Sequence, residues 1–426
     1  MTGMKDRILA AVADGFDEQV AFLRDLAGCA SLREQEASAQ DMMAAAFKAR
    51  GYATDRFEID VPGLREHPGF SPATVDYSDM RNVVATHTPR NAAGRSLILN
   101  GHVDVVPQGP EALWSSPPFA PRIEGEWMYG RGAGDMKAGL VANLFALDAL
   151  RRAGVQPAAQ VHLQSVVEEE CTGNGALACL VRGYDAEAAL IPEPFGETLV
   201  RANVGTLWFR VRIAGHPVHV VEAGAGGNAI EAAFRLMQEL RRLEEEWNAR
   251  KAGRAHFDAL EHPINLNFGR IQGGDWASSV PAWCDFDCRI AIFPGEHAAD
   301  AAREIEERIA AFAATDPVLS RQTPQVEWNG FFAEGYVLEE GSDAEQALAR
   351  AHRAATDAPL TASVQPCYLD ARVFALYQHI PCLVYGPLAE NIHGFDERVN
   401  LPSVKRVTGA IALFVADWCG LEPVDE

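Results

Sequence analysis

Residues 97–107 of this 426-residue chain read LILNGHVDVVP, an apolar run that leads into a histidine and an aspartate. The run at 97–99 predicts a short buried strand that stops at Asn100 and Gly101. His102 and Asp104 follow directly, so both stand where that strand ends. Because open α/β sheets bind their ligands beyond the carboxyl ends of the strands, these two side chains are candidates for a functional site.

Short apolar runs and helical patterns alternate on both sides of this stretch. Apolar residues recur at helical spacing within 5–50, whereas 61–80 is rich in Pro, Gly and Asp and predicts a surface loop. The alternation predicts an α/β fold with a mixed, largely parallel sheet. Its further elements are strands at 161–167, 188–191 and 380–385 and helices at 138–152, 344–354 and 404–418.

The pattern changes after Gly205. Residues 206–213 alternate strictly between apolar side chains and polar or aromatic ones, which predicts a sheet covered on one face. A helix follows at 228–250, with Asn228 as its expected N-cap. The order of the next elements predicts a ferredoxin-like α+β domain at 204–332, inserted into a discontinuous larger domain formed by 1–203 and 333–426. Those elements are strands at 264–268 and 284–292, a helix at 298–313 and a strand near 325–328.

Composition excludes several function classes. The chain carries 37 Lys and Arg against 59 Asp and Glu, a formal net charge of −22, and such a surface repels nucleic-acid backbones and anionic lipid. No apolar run approaches the roughly 18 residues of a membrane span. Residues 1–17 lack the features of a secretory signal, so we expect a cytoplasmic protein. Its eight cysteines form no C-x-x-C pair and are expected to be reduced thiols.

Metal-binding residue types stand at the ends of several predicted elements. Two imidazoles and several carboxylates without thiolates suit Zn²⁺ or a similar divalent ion. With one carboxylate bridging, two such ions lie about 3.5–4 Å apart and can polarise a carbonyl and deprotonate a shared water. Three consecutive acids at a strand end repel one another unless a cation holds them. The candidates are His102, Asp104, Asp135, the triplet Glu168-Glu169-Glu170, Glu193 and His393.

From about Asn82 to the C-terminus the chain resembles the dinuclear-zinc amidohydrolases, which include acetylornithine deacetylase, succinyl-diaminopimelate desuccinylase, aminoacylase and carboxypeptidase G. The resemblance rests on four segments in a fixed order. These are the His-x-Asp segment at 102–104, GRGAGDMKAG at 130–139, the acidic triplet followed by Gly173-Asn174-Gly175, and the late His393.

The resemblance implies a metal centre of two divalent ions, with Zn²⁺ expected and Co²⁺ or Mn²⁺ as alternatives. It places His102 and Glu193 on one ion and Glu170 and His393 on the other, and Asp135 bridges the two. The implied fold is a catalytic α/β domain with an inserted lid and dimerisation domain, so the expected partners are a small-molecule substrate and a second copy of the chain.

The resemblance also implies four roles beside the metal centre. Glu169 matches the general base that takes a proton from the metal-bound water and passes it to the leaving nitrogen. Asp104 matches a carboxylate that orients the ring of His102 through its other nitrogen. His219 matches an oxyanion-stabilising histidine, which relatives often receive from the neighbouring subunit. Arg289 matches an arginine that faces the substrate carboxylate.

Two positions depart from the family pattern where relatives hold substrate. An asparagine often found before Val-Pro is replaced by Ser278, and a threonine that commonly precedes Asp370 is Leu369. The expected reaction is hydrolysis of an N-acyl amino acid or a close relative. Alternatives are a dipeptidase or carboxypeptidase, a hydrolase of a non-peptide C–N bond such as that of an arylamine, and a non-catalytic binding protein, against which Glu169 argues.

Three other motifs are weaker. Gly130, Gly132 and Gly134 resemble a dinucleotide loop, but Asp135 stands where its last glycine belongs and would repel a pyrophosphate. No G-x-S-x-G elbow occurs, which argues against a serine hydrolase. Lys137 is expected to form a salt bridge with the acidic cluster.

Overall fold

The computed structural model describes residues 2–424 and contains a large α/β unit and an inserted α+β unit. The inserted unit is defined here as the elements from Gly205 to Ala333. The helices are α1 Thr2–Asp14, α2 Phe16–Ala27, α3 Ala37–Ala49, α4 Val61–Leu64, α5 Ala138–Arg152, α6 Asn174–Val181, α7 Ala229–Ala249, α8 Ala298–Thr315, α9 Asp343–Thr356 and α10 Leu401–Cys419. The strands are β1 Ala53–Glu58, β2 Arg81–His87, β3 Leu97–His102, β4 Arg122–Glu124, β5 Trp127–Tyr129, β6 Val155–Pro157, β7 Val161–Val166, β8 Ala189–Ile191, β9 Leu199–Asn203, β10 Gly205–Ala214, β11 Leu266–Gly273, β12 Trp283–Ile292, β13 Gln325–Ala333, β14 Tyr336–Val337, β15 Ala362–Gln365, β16 Cys382–Val384, β17 Ala389–Glu390, β18 Arg398–Asn400 and β19 Leu421–Pro423.

The main sheet of the large unit has the strand order β1-β2-β7-β3-β8-β16. The pairs β7–β3, β3–β8 and β8–β16 are parallel, whereas β1–β2 and β2–β7 are antiparallel. Because β3 is central, both its faces are covered and Leu97, Ile98 and Leu99 are completely buried. This confirms the mixed, largely parallel sheet, and it brings the carboxyl ends of β3, β7 and β8 to one edge.

The inserted unit has the antiparallel strand order β11-β12-β10-β13, with α7 and α8 packed on one face. Its chain order of strand, helix, two strands, helix and strand is that of a ferredoxin-like fold, which confirms the expectation. Leu207, Phe209 and Val211 of β10 are buried beneath the helices. The other face carries Arg210, which donates two hydrogen bonds to Asp287 of β12, so the predicted alternation is real.

The chain passes into the inserted unit and back again at adjacent positions. Thr206 pairs with Ala333 at the inserted unit's edge, and Tyr336 pairs with Asn203 just across the junction. A side chain at Gly205 would place its Cβ 2.4 Å from the main-chain oxygen of Ala333, so the two passing segments require a glycine here.

Local differences from the expected elements are small. The helical stretch at 5–50 divides into α1, α2 and α3, and the loop at 61–80 contains the four-residue helix α4. Helix α5 spans the predicted residues 138–152, whereas the strand expected at 380–385 is limited to β16. Among residues 2–424, no helix combines the length and the hydropathy that crossing a membrane requires.

Helix α7 allows a test of its predicted N-cap. The Asn228 side chain accepts hydrogen bonds from the main-chain N–H groups of Ile230 and Glu231. Replacing Asn228 with Ala should destabilise the start of the helix by about 1 kcal/mol. Hydrogen exchange of the main-chain N–H groups in the first turn should therefore become roughly fivefold faster. Asn91→Ala is the matched control, since Asn91 is exposed and caps no helix. Equal exchange rates in Asn228→Ala and the wild type would contradict this account.

Candidate metal centre and substrate cavity

His102 lies at the carboxyl end of β3, and its ring is almost completely buried. Its Nε2 atom is 3.4 Å from Asp135 Oδ1, 3.7 Å from Glu169 Oε2 and 3.7 Å from Glu193 Oε1. Nδ1 donates a 2.9 Å hydrogen bond to the main-chain oxygen of Asp104, which fixes the ring and leaves Nε2 free to bind a ligand.

The carboxylate of Asp104 has a second set of partners. It lies 3.6 Å from Nδ1 of His102, farther away than the residue's own main-chain oxygen. Its two oxygens accept from the main-chain N–H groups of Glu169 and Glu170, at 3.4 and 3.1 Å. Asp104 therefore connects the turn after β3 to the turn after β7, in addition to its contact with His102.

The acidic triplet follows β7, and its first member differs from the other two. Glu168 has a left-handed backbone with φ of 69°, and its carboxylate is completely buried. Arg33 donates two hydrogen bonds to it at 2.5 and 2.8 Å, and Tyr77 donates another. Glu168 is thus neutralised within the protein, whereas Glu169 and Glu170 project towards His102 and His393 respectively.

Glu397 holds the loop that carries Asp135. Its buried carboxylate accepts from the main-chain N–H groups of Gly132, Gly134 and Asp135 at 3.0, 2.9 and 3.1 Å. Arg131 donates to the same carboxylate at 2.6 Å. Because Glu397 lies four residues after His393, this one side chain ties together two loops that bring potential ligands to the cluster.

His393 and Glu193 complete the cluster. His393 is half-exposed, and its Nε2 lies 3.1 Å from Glu170 Oε2 and 3.4 Å from Asp135 Oδ2. Glu193 follows β8 between two prolines, and its Oε1 is buried without a hydrogen-bond partner. The predicted residues therefore converge on Asp135, whose two oxygens face the two histidines.

The donor atoms of this cluster fit divalent metal ions. Two groups have ligand atoms that all lie within 4.8 Å of one another, and His102 belongs to both. Nε2 of His102 and Oε1 of Glu193 are buried polar atoms without partners, which a cation would satisfy. A set of imidazole and carboxylate donors suits Zn²⁺ and related divalent ions. The groups are His102, Asp135 and Glu170, and His102, Glu169 and Glu193.

Electrostatics in the cluster favour a bound cation. Burial raises the pKa of Glu169 and of Glu193 well above the usual value, and neighbouring carboxylates raise both further. Burial alone would raise the pKa of Asp135, but its close contacts with His102 and His393 lower it. The charge of Glu170 is the main cause that raises the pKa of His393 to about 11. A divalent ion would relieve this repulsion by stabilising the ionised carboxylates.

A cavity of about 480 Å³ opens beside the cluster, between the large unit and the inserted unit. Arg289 lines it, and the guanidinium donates to three neutral oxygens, those of Asn265, Thr206 and Pro366. Burial lowers the pKa of Arg289. No carboxylate within residues 2–424 forms an ion pair with this cation, so its positive charge is balanced only by neutral oxygens.

The remaining residues that the sequence singled out lie at different distances from the cavity. Leu369 lines the cavity, whereas Ser278 and His219 are exposed in neighbouring loops and lie outside it. The expected salt bridge of Lys137 is wrong, because Nζ donates to the main-chain oxygen of Cys29 and no ion pair of Lys137 occurs among the described residues. The turn at 132–137 directs this side chain towards the end of α2, and burial lowers its pKa to about 8.

Sequence reasoning missed Arg33 and Glu397, whose partners lie far away in the chain. Arg33 is 135 residues from Glu168, and Arg131 is 266 residues from Glu397. The only sequence signal for Glu397 was a charge four residues after the candidate ligand His393, a property that many surface charges share, and no candidate ligand lies near Arg33 in the sequence.

Comparison with known proteins places the chain among metal-dependent amide hydrolases. N-formyl-4-amino-5-aminomethyl-2-methylpyrimidine deformylase of Halalkalibacterium halodurans is 30% identical over 345 residues, which cover 77% of this chain and 80% of that protein. Succinyl-diaminopimelate desuccinylase of Dinoroseobacter shibae is 27% identical, with 94% of this chain and 99% of that protein covered.

A solved structure and a family model agree with these relatives. The structure of a di-peptidase from Saccharomyces cerevisiae superposes with a TM-score of 0.78 at 15% identity, covering 98% of this chain and 99% of that one, and so shares the fold. The model of peptidase family M20/M25/M40 matches residues 98–417, about three quarters of the sequence and all six residues of the cluster. The chain belongs to peptidase family M20/M25/M40.

Proposed function

We propose that this enzyme hydrolyses the amide bond of an N-acyl amino acid or a closely related small molecule. The observation that carries the proposal is the arrangement of the cavity. Two histidines and four carboxylates converge at one side of it, and the uncompensated Arg289 lies in its wall. A substrate with a scissile amide and a nearby carboxylate would meet both features.

We assign the metal ligands as the family resemblance implied them. His102 and Glu193 would hold one ion, Glu170 and His393 the other, and Asp135 would bridge them. Bound divalent ions, of which Zn²⁺ is our first choice, would polarise the amide carbonyl and increase the acidity of water. The contacts of Asp135 with both histidines support the bridging role.

Glu169 would perform the proton transfers. Its carboxylate lines the cavity, and Asp104 holds its main-chain N–H. Glu169 would take the proton of the attacking water and deliver it to the nitrogen as the C–N bond breaks, which gives a carboxylic acid and a free amine. Arg289 would hold the substrate carboxylate through its planar fork.

Replacing Glu169 with Gln tests the division of roles between neighbouring acids. We expect turnover to fall by roughly 10²–10⁴-fold because the proton acceptor is lost, while metal analysis still finds about two ions per chain. Glu170→Gln is the matched comparison and should lose metal. Retained activity in Glu169→Gln would remove this residue from the base role, and loss of metal would make it a ligand.

Replacing Glu397 with Gln tests the support beneath Asp135. The variant removes the charge that pairs with Arg131 and weakens the bonds that hold the loop, so metal affinity should fall by about 10–100-fold in competition with a chelator. Glu390→Gln is the control, because Glu390 pairs with Arg398 near the surface. Equal metal affinity in Glu397→Gln and Glu390→Gln would show that Glu397 does not support the metal site.

We also propose that residues 204–332 form a lid and dimerisation domain and that His219 acts in the partner's site. His219 is exposed and lies outside the cavity of its own chain. Exposed apolar side chains occur in the same unit, and β11 is an edge strand. Apolar exposure and an unpaired edge are both features of protein interfaces. The apolar residues are Val221, Phe234, Ile271 and Trp276.

Mixing two inactive variants tests this exchange between subunits. His219→Ala should lower turnover and leave metal content unchanged, because the residue is no ligand. After unfolding and refolding together with Glu169→Gln, about a quarter of wild-type activity should return, since half of the dimers are mixed and each has one intact site. No recovery in a mixture that sedimentation shows to be dimeric would place His219 in its own chain's site.

A second candidate function is hydrolysis of a non-peptide C–N bond. Leu369 places an apolar side chain in the cavity where the family pattern has a threonine, and one relative is a deformylase of an aminomethylpyrimidine. N-formylated amines without a carboxylate separate this candidate from the first.

We also propose that the protein is cytoplasmic. All eight of its cysteines are unpaired thiols, which agrees with a reducing compartment.

A further inference from the structure

The inserted unit presents an ordered row of side chains to the cavity. Asn267 pairs with Arg289 across β11 and β12, and Arg289 pairs with Trp208 across β12 and β10. Phe331 of β13 continues the row, with its ring centroid 5.0 Å from that of Trp208. All four line the cavity, on the sheet face opposite α7 and α8. An amide, a cation and two aromatic rings thus stand side by side.

The aromatic half of the row is fixed by contacts with the large unit. Phe331 stacks on Tyr368, with ring centroids 4.2 Å apart and an angle of 30°. Trp208 meets Phe331 edge to face, at 83°. A side chain at Gly330 would place its Cβ 2.5 Å from Cε3 of Trp208, so this glycine leaves room for the indole. Trp208 is therefore held rigidly by its neighbours while it lines the cavity.

The indole of Trp208 also has an unused donor. Nε1 of Trp208 is buried and has no hydrogen-bond partner among residues 2–424. Because this atom is buried while the residue lines the cavity, the indole contributes its apolar ring to the wall rather than its N–H. Arg289 is the cross-strand neighbour of Trp208, and side chains opposite each other in a sheet lie about 5 Å apart. A carboxylate bound by Arg289 would therefore lie beside the ring of Trp208.

We propose that Trp208 makes the enzyme selective for N-acyl derivatives of amino acids that carry an aromatic ring. This inference rests on the proposed function and specifies its substrate class. The substrate carboxylate binds Arg289, and the substrate ring packs on the aromatic wall of Trp208 and Phe331. Aromatic rings gain more binding free energy from such a wall than saturated rings of equal size, because aromatic pairs attract one another beyond the area that they bury.

Three substrates separate the ring from the carboxylate. N-acetylphenylalanine has both, N-acetylcyclohexylalanine replaces the ring with a saturated one, and N-acetylbenzylamine lacks the carboxylate. In the wild type we expect kcat/KM for the phenyl compound to exceed that for the cyclohexyl compound by roughly 3- to 10-fold, as aromatic pair energies imply. The benzylamine compound should be the poorest substrate, because Arg289 stays unpaired.

Two variants of Trp208 then assign the preference to this side chain. Trp208→Leu should reduce the phenyl preference to within about twofold, whereas Trp208→Phe should retain it, because phenylalanine keeps an aromatic ring in the cavity wall. Phe312→Leu is the control on α8, outside the cavity, and should behave as the wild type. Calorimetric binding of free phenylalanine and cyclohexylalanine to each variant gives the same comparison without turnover.

The outcomes distinguish this inference from the proposed function. Turnover of both amino-acid substrates at equal kcat/KM would overturn the aromatic selectivity and leave the deacylase proposal intact. Hydrolysis of the benzylamine compound alone would overturn both the aromatic selectivity and the proposed hydrolysis of N-acyl amino acids, and it would favour a hydrolase of non-peptide C–N bonds. A phenyl preference that persists in Trp208→Leu would also overturn the role of Trp208. If that variant does not fold, the wild-type ratio and Trp208→Phe still decide.

Discussion

Repulsion among buried carboxylates is the constraint on which the site depends. Asp135, Glu169, Glu170 and Glu193 meet around His102 at the carboxyl edge of a mostly parallel sheet, where burial disfavours the charged forms of Glu169 and Glu193. Acids buried this close together must either take up protons or bind cations. The crowding of acids at these strand ends is unfavourable without a bound cation, and it makes the cluster suitable for divalent metal ions.

The protein limits this repulsion by neutralising the acids that do not face the cavity. Arg33 pairs with Glu168, and Arg131 with three main-chain N–H groups surrounds Glu397. Both pairs fix the backbone from which the candidate ligands project, so the positions of those side chains are set within the protein itself. Asp104 adds a third tie, between the turns after β3 and β7. The fold therefore supplies a preorganised cage in which only the cluster facing the cavity requires a cation.

Much of this arrangement could be predicted from local sequence. Helix α5 was predictable to the residue because apolar spacing and Gly154 define it, and Asn228 caps α7 as expected. The convergence of His102, the acidic triplet and Glu193 was predictable because strand ends in such sheets converge, whereas the family resemblance implied the places of Asp135 and His393. Arg33 and Glu397 were not, since their partners are distant in sequence, and the direction of Lys137 depends on one turn. The row of side chains through Trp208 could not be predicted, because it depends on how neighbouring strands pair, and the sequence of one strand does not specify that pairing.

The adjacent crossings at Asn203–Gly205 and Ala333–Tyr336 have a consequence for how such a protein can be assembled. Since the polypeptide departs and returns through neighbouring segments, the ferredoxin-like module occupies the place of an ordinary surface loop. The hydrogen-bonded ladder of the main sheet is continuous whether that loop is short or long. The candidate metal cluster thus lies in the large unit, while the row of Asn267, Arg289, Trp208 and Phe331 reaches the same cavity from a separate segment of the chain.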